Sequence, residues 1–306
     1  MSNALSIFRS NKGETAYLTA YDDMLSHWPV PYESVHIQGR FGSTHILVAG
    51  PEDAPPLVIL PAVTNSASSW FKNVAGLSQH HRIYIVDPIG DSGKSVLTRK
   101  FTNKVHIAEW LSGVFDELKL DAPAVAGHSY GGWLALNLAF HAPEQVSKLI
   151  LIAPAASLQQ FHWFVQLGLQ VPYWFPLQLD AKTILESMVA KGYTLNETYV
   201  ELMRAVSKHT KQHLLFPTVF SDEELRQVKV STLLLYGEQE VIYDPKAAIE
   251  RAKRLFPNIT TVLIPNASHL VIMEQTEMVN SRILAFLEAN HIQGRVVSNT
   301  LPDLIW

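Results

Sequence analysis

Serine, histidine and a carboxylate make a nucleophilic centre when a fold brings them together. The serine hydroxyl, weak alone at neutral pH, is activated by an imidazole that a carboxylate orients. The stretch Gly127-His128-Ser129-Tyr130-Gly131 reads Gly-x-Ser-x-Gly. A short apolar, strand-compatible run at 124–126 precedes it, and helix formers with apolar spacing follow at 133–141. A strand-to-helix turn this tight strains its apex residue and leaves no room for bulk beside it. It pushes the Ser129 hydroxyl out beyond the sheet and opens a helix whose first N–H groups suit a developing oxyanion.

The imidazole must be chosen among 13 histidines. His269 closes Ile264-Pro265-Asn266-Ala267-Ser268-His269, a polar loop after the last apolar run and at the same sheet edge as Ser129. His128 adjoins Ser129 in sequence, but its side chain should point away and support the turn. His209 and His213 are four apart, the spacing of zinc ligands on one helix face. No intervening glutamate or third ligand accompanies them, so a solvated helix face is the better reading.

For the orienting acid, the segment after the run at 232–236 is Gly237-Glu238-Gln239-Glu240-Val241-Ile242-Tyr243-Asp244-Pro245. Asp244 before Pro245 has the form of a helix N-cap with proline at the first helical position. Glu240 lies nearer the strand end and is preferred; Asp244 is the alternative and Glu238 a distant third. Ser129, Glu240, His269 is the chain order expected of such a centre. The oxyanion hole takes one N–H from Tyr130 and a second from the loop 61–66, with Val63 as the chosen backbone donor.

The elements that must position these groups follow from the hydrophobic pattern. Residues 14–28 have helical spacing, stopped at Trp28-Pro29-Val30-Pro31. Strands at 34–38 and 44–49 form a hairpin through Gly39-Arg40-Phe41-Gly42-Ser43. Unalternating apolar runs then recur at 57–60, 83–86, 124–126, 149–152, 232–236 and 261–264, with helical spacing at 106–118, 245–255 and 277–287. Such strands separated by helices predict a parallel sheet covered on both faces, with functional loops at the strands' carboxyl ends. The alternation breaks between Pro154 and Val228, an interval rich in aromatics (Phe161, Trp163, Phe164, Tyr173, Trp174, Phe175). It reads as a mainly helical cap over the carboxyl edge, some of its aromatics lining a pocket. Domain bounds are 1–31 for an N-terminal helical extension, 32–154 with 229–306 for the core, and 155–228 for the cap. The tail from Gly294 is expected to pack through Leu301, Ile305 and Trp306.

Composition bounds the rest. The chain has 306 residues, 47% of them hydrophobic and 17% charged, which supports a substantial core and argues against extensive disorder. A net charge of −4 gives no electrostatic footprint for nucleic acid or an acidic membrane. With no cysteine, disulfides, thiolate catalysis and cysteine-ligated metals are excluded. Residues 1–12 lack a signal-peptide layout and the longest apolar runs, such as 149–156, are too short to span a bilayer, so a soluble cytoplasmic protein is expected. Gly90-Asp91-Ser92-Gly93-Lys94-Ser95 imitates the end of a phosphate-binding loop, but Pro88 stands where that motif needs its first glycine. It is read instead as a tight turn below the pocket, with Asp87 closing the strand.

Taken together the chain resembles the α/β-hydrolase superfamily over residues 32–290. The resemblance rests on the elbow Gly127-His128-Ser129-Tyr130-Gly131-Gly132, the turn from Asp87 to Ser95, the acid loop Gly237-Glu238-Gln239-Glu240, and Asn266-Ala267-Ser268-His269. Trp28-Pro29-Val30-Pro31-Tyr32 with the turn at 90–95 is similar to a bacterial subgroup of carboxylesterase-like hydrolases. The resemblance implies a mostly parallel, eight-stranded sheet, a helical cap after strand six, and a Ser–acid–His triad with no cofactor. The implied reaction is hydrolysis of a small carboxylic ester through an acyl-enzyme. Thioester, lactone, amide or carbon–carbon hydrolysis and perhydrolysis use the same machinery, and a non-catalytic ligand-binding protein is the alternative from another class. Dehalogenase and epoxide hydrolase chemistry is disfavoured, since those members use a carboxylate where Ser129 stands. Two positions depart from the family pattern: Pro61-Ala62 replaces the frequent His-Gly, and Glu240 replaces the usual aspartate, which keeps Asp244 as a rival.

Overall fold

The computed structural model describes residues 4–162 and 179–289. Its strands are β1 (Glu33–Gly39), β2 (Gly42–Ala49), β3 (Pro56–Leu60), β4 (Arg82–Val86), β5 (Val96–Leu97), β6 (Ala124–His128), β7 (Lys148–Ile152), β8 (Ser231–Gly237) and β9 (Ile259–Ile264). They form one sheet in the order β1-β2-β4-β3-β6-β7-β8-β9. β1, β2 and β4 pair antiparallel, and every pairing from β4 through β3 to β9 is parallel. Eight strands match the expected number; the ninth, β5, adds to β2 off the main path. Two residues are too few to show a hydrophobic period.

Successive residues of the central strands face opposite layers, as the pleat requires. Leu57, Ile59 and Ala126 pack with Tyr17, Leu77, Val279 and Ile283 on one side. Val58, Leu60 and Val125 pack with Ile107, Leu111, Trp133 and Leu138 on the other. Because both faces are covered, these strands carry no polar alternation, which is why their sequence reads as solid apolar runs. Burying one such leucine or isoleucine contributes about 1.5–3 kcal/mol.

Helix boundaries moved where capping decided them. The first helix, α1 (Asn11–Leu25), begins three residues before its expected start because the Ser10 side chain accepts from Gly13 N–H and caps it. It ends short of Trp28, whose indole N–H donates to the Ser68 carbonyl (3.1 Å). The helix Pro245–Leu255 has the expected bounds, with Asp244 as its N-cap accepting from Lys246 and Ala247 N–H groups (3.0 and 3.1 Å). Between β7 and β8 the described residues hold three helices, Ala181–Glu186, Glu197–His209 and Asp222–Gln227. The second of these ends at His209, so His209 and His213 do not share a helix face. His213 lies in irregular chain, its N–H donating to the Gly90 carbonyl (2.7 Å). Trp163, Phe164, Tyr173, Trp174, Phe175 and the tail residues Leu301, Ile305 and Trp306 lie outside the described residues.

Candidate active site

The site lies at the carboxyl ends of β3, β6, β8 and β9, where β3 has β4 on one side and β6 on the other and the chain after β4 crosses past β3 to reach β6. That is where an open parallel sheet leaves a crevice. Ser129 follows β6 directly and precedes the helix Tyr130–His141, with φ 51° and ψ −113°. For serine this is a strained backbone, held because the turn is over-determined on both sides. A Cβ on Gly131 would sit 1.9 Å from the Leu60 carbonyl oxygen, and one on Gly127 would sit 2.2 Å from that of Gly131. The elbow therefore packs backbone against backbone on the end of β3. Ser129 N–H donates to the Ile152 carbonyl, which ties the apex to β7 (2.8 Å).

His269 arrives from the loop after β9. Its Nε2 lies 3.0 Å from Ser129 Oγ, and its Nδ1 lies 2.8 Å from Glu240 Oε2. The other carboxylate oxygen of Glu240 accepts from Ile242 N–H (2.8 Å), which aims the acid from the end of β8. With Nδ1–H donating to the carboxylate, the neutral ring presents Nε2 as an acceptor to the hydroxyl. All three side chains are buried, Ser129 with 6% exposure. Asp244, the rival acid, is exposed and turned to its own helix.

Two groups, the buried His128 and the half-buried Glu274, hold the His269 loop, a role the sequence reading gave to neither. His128 Nε2 is 2.8 Å from the His269 carbonyl oxygen, so it must be the donor. Burial, followed by the nearby His269, lowers the His128 pKa to about 3 and keeps the ring neutral. His128 thus supports the histidine loop; the expectation was support of the elbow. Glu274 accepts from Ser268 N–H (3.0 Å) and from Ala190 N–H (2.5 Å), joining the histidine loop to the segment between β7 and β8. Burial raises its pKa, against the pull of those two N–H groups. The only sequence signal was a glutamate five residues past His269, and no spacing rule singles it out.

The N–H groups of Val63 and Tyr130, the expected oxyanion donors, have no partner among the described residues. Val63 is the exposed member of the loop after β3, at 40%. Described residues between β7 and β8 reach this edge. Phe161 stacks on Tyr243, whose ring centre lies 6.4 Å from that of His269. Tyr130 Oη donates to the Leu215 carbonyl and Trp133 Nε1 to that of Thr218 (both 3.0 Å). Among the described residues no group of three or more His, Cys, Asp or Glu is gathered as a metal site, and no helix is long and apolar enough to cross a membrane.

A family model of the α/β hydrolase fold matches residues 55–276. The chain is an α/β-hydrolase. This α/β-hydrolase is 36% identical over 282 residues to carboxylesterase YbfK of Bacillus subtilis (strain 168), covering 89% of the present chain and 93% of that one. The crystal structure of carboxylesterase CesB (YbfK) from Bacillus subtilis superposes with a TM-score of 0.86 at 34% identity, covering 91% of this chain and 99% of that one. That of naproxen esterase (carboxylesterase NP), also from Bacillus subtilis, gives 0.83 at 35% identity, with the same coverages. The departures at Pro61-Ala62 and Glu240 thus occur within a carboxylesterase-like α/β-hydrolase.

Proposed function

We propose that the protein is a serine carboxylesterase in which Ser129 is the nucleophile, His269 the general base and acid, and Glu240 the orienting carboxylate. The observation that carries this reading is the continuous relay from Glu240 through His269 to the strained Ser129, with contacts of 2.8 and 3.0 Å. Ser129 Oγ attacks the ester carbonyl carbon as its proton passes to His269 Nε2. The tetrahedral oxyanion is received by the N–H groups of Val63 and Tyr130, which are fixed before substrate arrives and so cost no reorganisation. His269 then protonates the leaving alkoxide, giving the acyl-enzyme. Water enters by the same route in reverse: His269 takes its proton, and hydroxide displaces Ser129 to release the carboxylic acid.

In this reading residues 155–228 form a cap that sets the shape of the ester pocket, over a core of 32–154 with 229–306 and behind an N-terminal extension of 1–31. Support comes from the helices between β7 and β8 and from the hydrogen bonds that Tyr130 and Trp133 of the elbow helix donate to Leu215 and Thr218, in the irregular chain between two of those helices. The chemistry needs neither metal nor cofactor. The names of the similar Bacillus proteins support a carboxylic ester as substrate.

A fluorophosphonate probe with a series of p-nitrophenyl esters of increasing acyl length tests the reading. Ser129 is expected to be labelled stoichiometrically, and Ser129→Ala to lose both labelling and turnover. Turnover that survives Ser129→Ala would overturn it.

A further inference from the structure

The turn after β4, which imitates a phosphate loop, carries a carboxylate that the steps above do not use. Asp91 is fully buried. Its Oδ1 accepts from Ser92 N–H (2.7 Å) and its Oδ2 from Thr64 N–H (2.9 Å). Thr64 follows Val63, and its φ is +62°. A β-branched residue in the left-handed region is an outlier that survives only where its surroundings insist on it.

Here they insist from both ends of one peptide unit. At one end Asp91 takes the Thr64 N–H. At the other, Thr64 Oγ1 and Asn65 Nδ2 both donate to the Val63 carbonyl (2.6 and 3.2 Å). Asn65 is itself anchored: its N–H donates to the Ala62 carbonyl (3.1 Å) and its Oδ1 accepts from Tyr199 Oη (3.0 Å). The Val63–Thr64 peptide is thus gripped at its two poles. Only the backbone torsions of Val63 separate that plane from the Val63 N–H.

We propose that Asp91 is a positioning residue for the oxyanion loop: its carboxylate, by gripping the Val63–Thr64 peptide, aims the Val63 N–H at the developing oxyanion. This deepens the carboxylesterase reading and rests on Ser129 and Val63 serving there as assigned. A charged acceptor suits the task, since N–H bonds to a carboxylate are shorter and stronger than those to a neutral oxygen. The groups facing it are the Asp87 carboxylate, the hydroxyls of Ser92, Tyr17 and Tyr130, and the two backbone N–H donors. Burial pushes its pKa up to about 7 while the two N–H groups pull it down. A buried acid with no cation partner among the described residues is a costly way to build a turn, and the strained Thr64 gives that cost a purpose.

Asp91→Asn is the test. The amide matches the acid in size but has one acceptor oxygen, so an NH2 must face either Thr64 or Ser92 N–H. The kcat for p-nitrophenyl butyrate, per folded molecule by near-ultraviolet circular dichroism, is expected to fall about ten- to hundredfold, short of complete donor loss. KM should stay within about twofold, because the oxyanion contact matures only in the transition state. Phenylboronic acid, whose tetrahedral adduct on Ser129 places an oxygen in the same hole, should bind more weakly by the factor lost in kcat. Unchanged kcat per folded molecule, or a loss confined to KM, overturns the proposal. If Asp91→Asn gives no folded protein, Asp91→Glu carries the same comparison with the same two outcomes. Failure of Asp91→Asn alone leaves the Ser129 reading standing, whereas turnover by Ser129→Ala removes both.

Discussion

Among the described residues there are two serine–histidine–carboxylate chains of nearly the same dimensions. One is Ser129, His269 and Glu240, with contacts of 3.0 and 2.8 Å. The other is Ser34, His45 and Asp87, with contacts of 2.8 and 2.7 Å. They differ in what surrounds them. Ser129 has a strained backbone at the end of a strand, and the N–H groups of Tyr130 and Val63 have no partner among the described residues. Ser34 lies within β1, an edge strand paired with β2 from Glu33 to Gly39. Glu240 serves one ring and one N–H. Asp87 is loaded with four donors: Ala67 N–H (2.6 Å), His45 Nδ1 (2.7 Å), Lys94 N–H (2.8 Å) and Tyr21 Oη (3.3 Å). With His45 and Asp87 both wholly buried, that second chain is a junction between α1, β2, β4 and two loops. The two relays are thus alike in their side chains and differ in the backbone strain at Ser129 and in the unpartnered N–H groups of Tyr130 and Val63, which the proposed mechanism uses.

The widest gap between the two chains should appear on removing each serine. Ser129→Ala is expected to lower kcat by about a million-fold, as removal of a triad serine does. Ser34→Ala should leave kcat and KM for p-nitrophenyl butyrate as they were. A substantial loss in Ser34→Ala would make the second chain catalytic and break the contrast. Removing the acids should separate rate from stability. Glu240→Gln should cost roughly 10⁴-fold in kcat with the melting transition little changed, since the amide favours the wrong histidine tautomer. Asp87→Asn should cost on the order of 3–5 kcal/mol in denaturant unfolding, because donors converging on one buried acceptor lose their partner. If Asp87→Asn unfolds like wild type, the junction is not a structural one.

The contrast also marks what the sequence made legible. The elbow, His269 and Glu240 could be read because each occupies a fixed place relative to a strand end, and strands buried on both faces announce themselves as apolar runs. Asp87 was read only as closing its strand, and His45 only fell within the strand expected at 44–49, since no local pattern says that residues 42 apart will meet. Asp91 was hidden in the same way: its partner Thr64 is 27 positions back, and the positive φ of Thr64 has no signature, threonine being a poor choice for it. His128 was expected to brace the elbow, and its actual partner is the loop 141 residues onward. Long-range polar contacts depend on strand order, which hydrophobic periodicity leaves open.

The buried acids differ again in how pH should touch them. Asp91 titrates at about 7 in the folded protein and near the ordinary 3.8 when unfolded. Between those values the folded state holds more protons, so the Asp91 contribution to stability falls as pH rises and levels off above about 7. Asparagine has no such titration. The melting temperature of Asp91→Asn relative to wild type is therefore expected to rise between about pH 5 and pH 7 and then stay flat. A difference independent of pH would mean that Asp91 is not held in a site hostile to its charge.

The smallest expected effect sharpens the choice of acid. Asp244 Oδ1 accepts from Lys246 and Ala247 N–H groups, the orphan donors at a helix start, and so points along its own helix and away from the imidazole. Asp244→Ala should cost about 1 kcal/mol of stability, the usual worth of an N-cap, and Asp244→Asn only a fraction of that because asparagine caps as well. In both variants kcat per folded molecule should match wild type, and urea midpoints with kcat on the same preparations check it. A loss of kcat in Asp244→Asn comparable to that in Glu240→Gln would move the orienting role to Asp244. It would also require the loop at 240–244 to rearrange when substrate binds, since the Glu240 carboxylate already occupies the Nδ1 side of His269.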